Sequence, residues 1–177
     1  IFEANEIADG VVKFMKETIK KKIKRSCLVV TMNNSQRDLI DEEIRHRAMK
    51  IPEVNIYLSE WEQTMEPFIV KNLENVQGDE RDLIIISTVY GPNETGNVYQ
   101  RFGPINSKHG ARRLNVLFSR AKNEIQLFTS LKAAQVTVSE SSSKGLEVFK
   151  DYLTFAETGI LQEGEQTGYE VDNPFQQ

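Results

Sequence analysis

Two short segments carry side chains whose types and spacing could do chemistry. In ARRLNVLFSRAK, residues 111–122, the apolar Leu114, Leu117, Phe118 and Ala121 fall at i, i+3, i+4 and i+7, the pattern of a helix face that packs on a sheet. Arg113 and Arg120 then return to one edge of that stripe, roughly 10 Å apart along the helix axis. An arginine there runs its stem along apolar surface and presents a planar fork that can grip a phosphate at two points. The bland alternative is a pair of solvated surface arginines. Arg112 lies about 100° around the helix from Arg113 and is expected to point elsewhere.

The second segment is QGDERDLIIIS, residues 77–87. Gly78 lets backbone approach a ligand, and Glu80 beside it can accept hydrogen bonds from ribose hydroxyls. This reading places both beyond the carboxyl end of a strand, where open α/β sheets bind ligands. Asp79, Arg81 and Asp82 also read as charges that cap and pair at a helical turn.

The elements that must position these residues alternate along the chain. Residues 3–24 place Ile7, Val11, Phe14, Met15, Ile19 and Ile23 on one helical face, with lysines on the other side and in the last turns. CLVVTM is a short buried strand, and NNSQRDLIDEEIRHRAMK a second helix with an Asn/Ser start, ended by Pro52. A variable stretch with Ile56, Tyr57, Leu58 and Trp61 leads to a third strand in PFIVKNLENVQG. LIIISTVY is apolar on both faces, as for a central strand of a covered parallel sheet. Residues 91–110 form a long glycine- and proline-containing loop before the arginine helix. EIQLFTSL is a strand, and SSKGLEVFKDYLTFAE a final amphipathic helix. The alternation predicts an α/β layer fold with a mostly parallel sheet flanked by helices.

Composition narrows the class. A chain of 177 residues, 39% hydrophobic and 27% charged, has room for one domain with a core. We expect that domain over residues 1–161, followed by a linker or loose tail over 162–177. No apolar run reaches the roughly 20 residues of a membrane-spanning helix, and no secretory layout opens the chain, so a cytoplasmic, membrane-free protein is expected. Cys27 stands alone, and His46 and His109 have no metal-ligand spacing, so no metal site is expected within the chain. The net charge of −4 confines any nucleic-acid contact to a local patch.

These residues carry a family resemblance. QGDERDLIIIS resembles motif V, and ARRLNVLFSRAK motif VI, of superfamily 1 helicases in the branch that includes the nonsense-mediated-decay helicase and its bacterial relatives. VVTMNNSQRDLI, residues 29–40, is similar to motif IV of that branch, so the likeness runs in order over about residues 5–155. Motif VI is the most specific piece.

The resemblance implies a RecA-like second motor lobe in an enzyme that moves on, or unwinds, nucleic acid by hydrolysing ATP between two lobes. By motif, Arg113 is the arginine finger that reaches the γ-phosphate across the cleft, and Arg120 supports it or the adjoining motif. Gly78 and Glu80 contact the ribose and phosphate side of the nucleotide, while Gln77 links nucleotide state to the nucleic-acid track. Thr31, Ser87 and Thr88, at strand ends, touch the nucleic-acid backbone. The implied partners are single-stranded nucleic acid, DNA ahead of RNA, and the N-terminal motor lobe of the same protein. That lobe would hold most of the ATP and its Mg2+.

Three departures matter. The chain has no G-x-x-x-x-G-K-[ST] loop and no strand ending in paired magnesium-binding acids, so it is expected to be inactive as an ATPase alone. It opens inside an apparent helix, and the tyrosine–arginine pair that the family carries ahead of motif IV would lie before Ile1, as in a piece of a larger protein. Ser119 stands where the family more often has threonine. Two other classes compete: a nuclease with Asp79, Glu80 and Asp82 on magnesium, and a non-catalytic interaction module that keeps the RecA-like fold and binds a partner through the long loop.

Overall fold

The computed structural model describes residues 2–159; the expected boundary at 161 and the tail over 162–177 lie outside the described residues. Helix α1 (Phe2–Lys21) buries Ile7, Val11 and Met15, one apolar residue per turn, and ends where Lys22 takes a left-handed φ of 53°. Strand β1 (Cys27–Thr31) is buried throughout. Helix α2 (Asn34–Met49) starts on Asn33, whose side chain accepts the Gln36 backbone N–H at 2.8 Å.

Pro52 does more than end that helix. It opens α3 (Pro52–Glu62) from the first helical position, where its missing N–H would have had no partner and its fixed φ already suits a helix. Val54 and Leu58, four apart, turn the inner face of α3 to the core. The stretch read as variable is therefore a third helix.

Strand β2 (Ile69–Asn72) is shorter than the apolar run suggests, because a 3-10 turn at Leu73–Asn75 follows directly. Residues 73–80 cross back over one face of the sheet to β3 (Arg81–Ser87) without a helix. After the long loop, which holds a 3-10 turn at Gly103–Asn106, come α4 (Gly110–Phe118), β4 (Ala121–Phe128) and α5 (Lys144–Thr158). Ser143 caps α5 by accepting the Leu146 N–H.

The four strands are all parallel, in the order β2-β1-β3-β4. This is an α/β sheet of RecA-like type flanked by helices on both faces. Successive residues of β3 face opposite layers. Leu83 and Ile85 meet α1, α2 and α3, while Ile84 and Ile86 meet α4, α5, Phe102 and Ile105. Among the described residues no helix is long and apolar enough to cross a membrane.

Candidate functional site

The arginine segment sits where three elements converge. A Cβ on Gly110 would lie 1.9 Å from the Ile105 carbonyl oxygen, and one on Gly145 2.1 Å from the same atom. Glycine at both positions lets the N-termini of α4 and α5 close onto the 3-10 turn. Arg112 and Arg113 stand in the first turn of α4, and both line an open cavity of about 310 Å³ together with His109, Glu74, Val76 and Gln77. Arg113 Nη1 donates to Ser107 Oγ at 3.0 Å, and Nη2 pairs with Glu74 Oε1 at 3.1 Å. The expectation that Arg112 points away is corrected: near the helix start the crossing segment curls around α4 closely enough for neighbouring positions to face one cavity.

Arg120 is not on the helix at all. The helix closes at Phe118 with Ser119 as its C-cap, and β4 begins at Ala121. The i, i+7 geometry therefore does not apply. Arg120 instead turns back, its Nε donating to the Val116 carbonyl at 3.1 Å, which satisfies an orphan acceptor of the last turn. Its Nη1 lies 3.7 Å from Glu80 Oε1, an ion pair at the margin of contact. Arg113 and Arg120 thus reach two points of one crossing segment, Glu74 and Glu80.

That segment carries Gln77, Gly78 and Glu80, with Gln77 and Glu80 exposed. Its position corrects a premise: Glu80 immediately precedes β3 and lies at the amino edge of the sheet, not beyond a carboxyl end. Gly78 has φ +89° and nothing within 4 Å of a built Cβ, so the turn itself requires glycine.

The neighbouring charges are engaged inside the fold. Arg81 is only 3% exposed; its guanidinium donates to the Pro67 carbonyl at 3.0 Å and the Glu80 carbonyl at 2.8 Å. Asp79 pairs with Lys71 at 2.5 Å. Asp82 accepts the Ser26 backbone N–H and the Asn123 amide, each at 2.8 Å. They knit the amino ends of the strands and the approach to β2, and no helical turn is involved. Among the described residues no group of three or more His, Cys, Asp or Glu side chains is placed to hold a metal ion. Asp79, Glu80 and Asp82 thus do not form the magnesium cluster a nuclease would need.

Thr31, Ser87 and Thr88 do lie together, at the carboxyl edge, but each is 0% exposed. Thr31 donates to the Asn33 carbonyl at 2.6 Å, and Thr88 to Thr129 Oγ1 at 2.9 Å. Ser87 donates to the Glu3 carboxylate, which also accepts the Val89 N–H at 3.1 Å. Val89 takes a left-handed φ of 69°, costly for a β-branched residue, and this contact from α1 holds it there. Burial pushes the Glu3 carboxyl above its ordinary value, against the hydrogen bonds from Ser87 and Val89 that pull it down. As folded, the three hydroxyls face inward and do not reach a backbone outside the chain.

Sequence reasoning missed Glu74, Ser107, His109 and Arg112 as site residues. Ser107 and Glu74 precede α4 through a loop and a crossover, so no helical period ties them to Arg113. The pair Arg112 and Arg113 did leave a signal, since two arginines gather at a helix start, the end where cations are disfavoured.

Comparison with known proteins agrees with this architecture. Residues 1–132 match the family model described as an AAA domain. A protein of Mycoplasma genitalium named "Uncharacterized ATP-dependent helicase MG140" is 34% identical over 172 residues, and its Mycoplasma pneumoniae homolog 33% over the same length. Each alignment covers 94% of this chain but only 14% of the relative, so the chain corresponds to a small part of those proteins. The chain belongs to the AAA domain family, and its likeness to ATP-dependent helicases extends over most of its length.

Proposed function

We propose that this chain is the second motor lobe of a superfamily 1, ATP-dependent nucleic-acid helicase or translocase and supplies its arginine finger. The observation that carries the reading is the pairing of Arg112 and Arg113 at the N-terminus of α4 on one cavity with Gln77. A helix N-terminus carries a partial positive charge, and two guanidiniums beside it repel that charge and each other. An anion arriving there relieves the repulsion, and a nucleotide phosphate is the anion that an ATP-dependent motor brings. Arg113 takes the finger role, and Arg112 adds positive potential. Gln77, Gly78 and Glu80 flank the nucleotide from the crossing segment, and Arg120 fixes the end of α4 beside Glu80.

ATP supplies the transferable γ-phosphoryl group, held with its Mg2+ mainly by an N-terminal motor lobe of the same protein. The contribution of this lobe is positive charge, aimed where negative charge develops on the transferring group. Single-stranded nucleic acid, DNA ahead of RNA, is assigned to the carboxyl edge of the sheet, along the loops that follow Thr31 and Thr88. The inward hydroxyls of Thr31, Ser87 and Thr88 shape those loops.

The purified chain tests the half-site character of this reading. Its ATPase rate should equal a buffer blank, with and without single-stranded DNA or RNA. Turnover that copurifies with the chain and changes on Arg113→Ala would show a complete site here and overturn the reading.

A further inference from the structure

We propose that the apolar cavity between the ends of α1 and α3 is a docking site for the acidic segment of this same chain, residues 160–177. The cavity, about 390 Å³, is walled by Ile19, Ile23, Tyr57 and Trp61, with the exposed Lys22 and Lys24 completing its lining. Its walls are fixed. Tyr57 donates its hydroxyl to the Arg25 carbonyl at 2.7 Å, and the Tyr57 and Trp61 rings stand 5.9 Å apart at 55°. Ile23 is 45% exposed, an aliphatic side chain left beside a cavity that has room for another apolar group.

The charge around this cavity is one-signed and unspent. Lys20 and Lys21 lie in the last turn of α1, where cations complement the helix dipole, but Lys22 and Lys24 lie past it and face no helix end. Among the described residues no ion pair engages any of these four lysines, whereas Lys71 and Lys122 each hold a carboxylate. The 18 residues after Gly159 supply the complement. They contain Glu163, Glu165, Glu170 and Asp172 and no lysine or arginine, so they carry the whole net charge of −4, together with the aromatic Tyr169 and Phe175.

Reach and affinity both allow the contact. Gly159, at φ 71°, closes α5 by donating its N–H to the Phe155 carbonyl at 2.8 Å, and the chain leaves the helix there. From that point to Phe175 an extended chain spans roughly 55 Å, against roughly 40 Å across a domain of this size. Within one chain the effective concentration of a tethered segment is on the order of 1 mM, so a contact with Kd of about 0.1 mM is mostly formed. A nucleic-acid strand fits less well. The two rings wall a cleft and offer no parallel faces for stacked bases, and Glu60 lines the same cavity, where a peptide can place an apolar side chain but a strand brings a charge at every step.

Trp61 is the only tryptophan in the chain, so its fluorescence reads this cavity directly. In the intact chain at low salt, acrylamide should quench Trp61 poorly. Replacing the four acids together by their amides should raise the quenching constant by about twofold or more, as should Phe175→Ala and the pair Lys22→Glu with Lys24→Glu. Adding Glu170→Lys and Asp172→Lys to that lysine pair should restore protection, which a merely structural role of the lysines would not do. Thermal melts check folding, and the substitutions beyond Gly159 keep the test valid if the lysine pair destabilises α1. Quenching that matches the parent in both the amide variant and Phe175→Ala would overturn the proposal. Protection that fades on dilution would assign the cavity to a second copy, and protection that appears only with added single-stranded DNA would assign it to nucleic acid; either result overturns the contact within one chain.

Discussion

At the residue scale, one acid at the carboxyl edge shows how the fold meets a local cost. Glu3 reaches from α1 to accept from Ser87 and from the N–H of Val89, whose left-handed backbone would otherwise be poorly held. The raised Glu3 value has a definite sign for stability. The native state binds the proton more tightly than the unfolded chain does, so this group makes stability fall as pH rises from the ordinary glutamate range, about 4.3, through the raised value. Glu3→Gln keeps an acceptor for both donors and removes the titration. Melting temperatures from pH 4 to 8 should therefore show the variant gaining on the parent as pH rises, then running parallel to it. Curves parallel across the whole range would refute the assignment.

At the element scale, the site depends on how closely α4 and α5 approach the turn at Gly103–Asn106. Any side chain at Gly110 or Gly145 strikes the Ile105 backbone, which cannot move aside as a flexible side chain would. Gly110→Ala and Gly145→Ala should each cost about 1–3 kcal/mol or more through overpacking, read as a lower urea midpoint at unchanged slope. Loss within about 0.5 kcal/mol would mean that the turn yields.

The same elements show where the amino-acid pattern is informative. Periodicity located α1, α2, α5 and the central strand, because long amphipathic faces and an apolar run between β1 and β4 have few alternative structures. It overran α4, since Arg120 and Lys122 after Phe118 continue a helical pattern while the strand pairing of Ala121 with Arg81 has already begun. It passed over α3 because proline was taken as an end, not as a start. At the site, Arg113 was legible as a candidate from its motif. Its partners Ser107 and Glu74 were not, because only the packing of a loop and a crossover brings them to it.

At the scale of the whole molecule, the net charge of −4 limits how tightly this chain can hold a polyanion. Binding of single-stranded oligonucleotide to the chain alone should be weak and should fall steeply as salt rises, because affinity rests on a few released counterions without base readout. Fluorescence anisotropy at two salt concentrations checks this, and tight binding that persists near 1 M salt would contradict it.

The central claim concerns the proposed two-lobed protein and the charge this chain is proposed to bring to ATP. Steady-state ATPase kinetics on its Arg113→Ala and Arg112→Ala variants test that claim most directly, with thermal melts to confirm folding. Arg113→Ala should lower kcat by at least about 10²-fold with a far smaller change in KM, as expected for a contact made mainly in the transition state. Arg112→Ala, whose side chain lines the cavity without a protein partner among the described residues, should be milder on kcat. Parent-like turnover in Arg113→Ala, with a stability change of no more than about 0.5 kcal/mol, would make this arginine a surface residue and contradict the account.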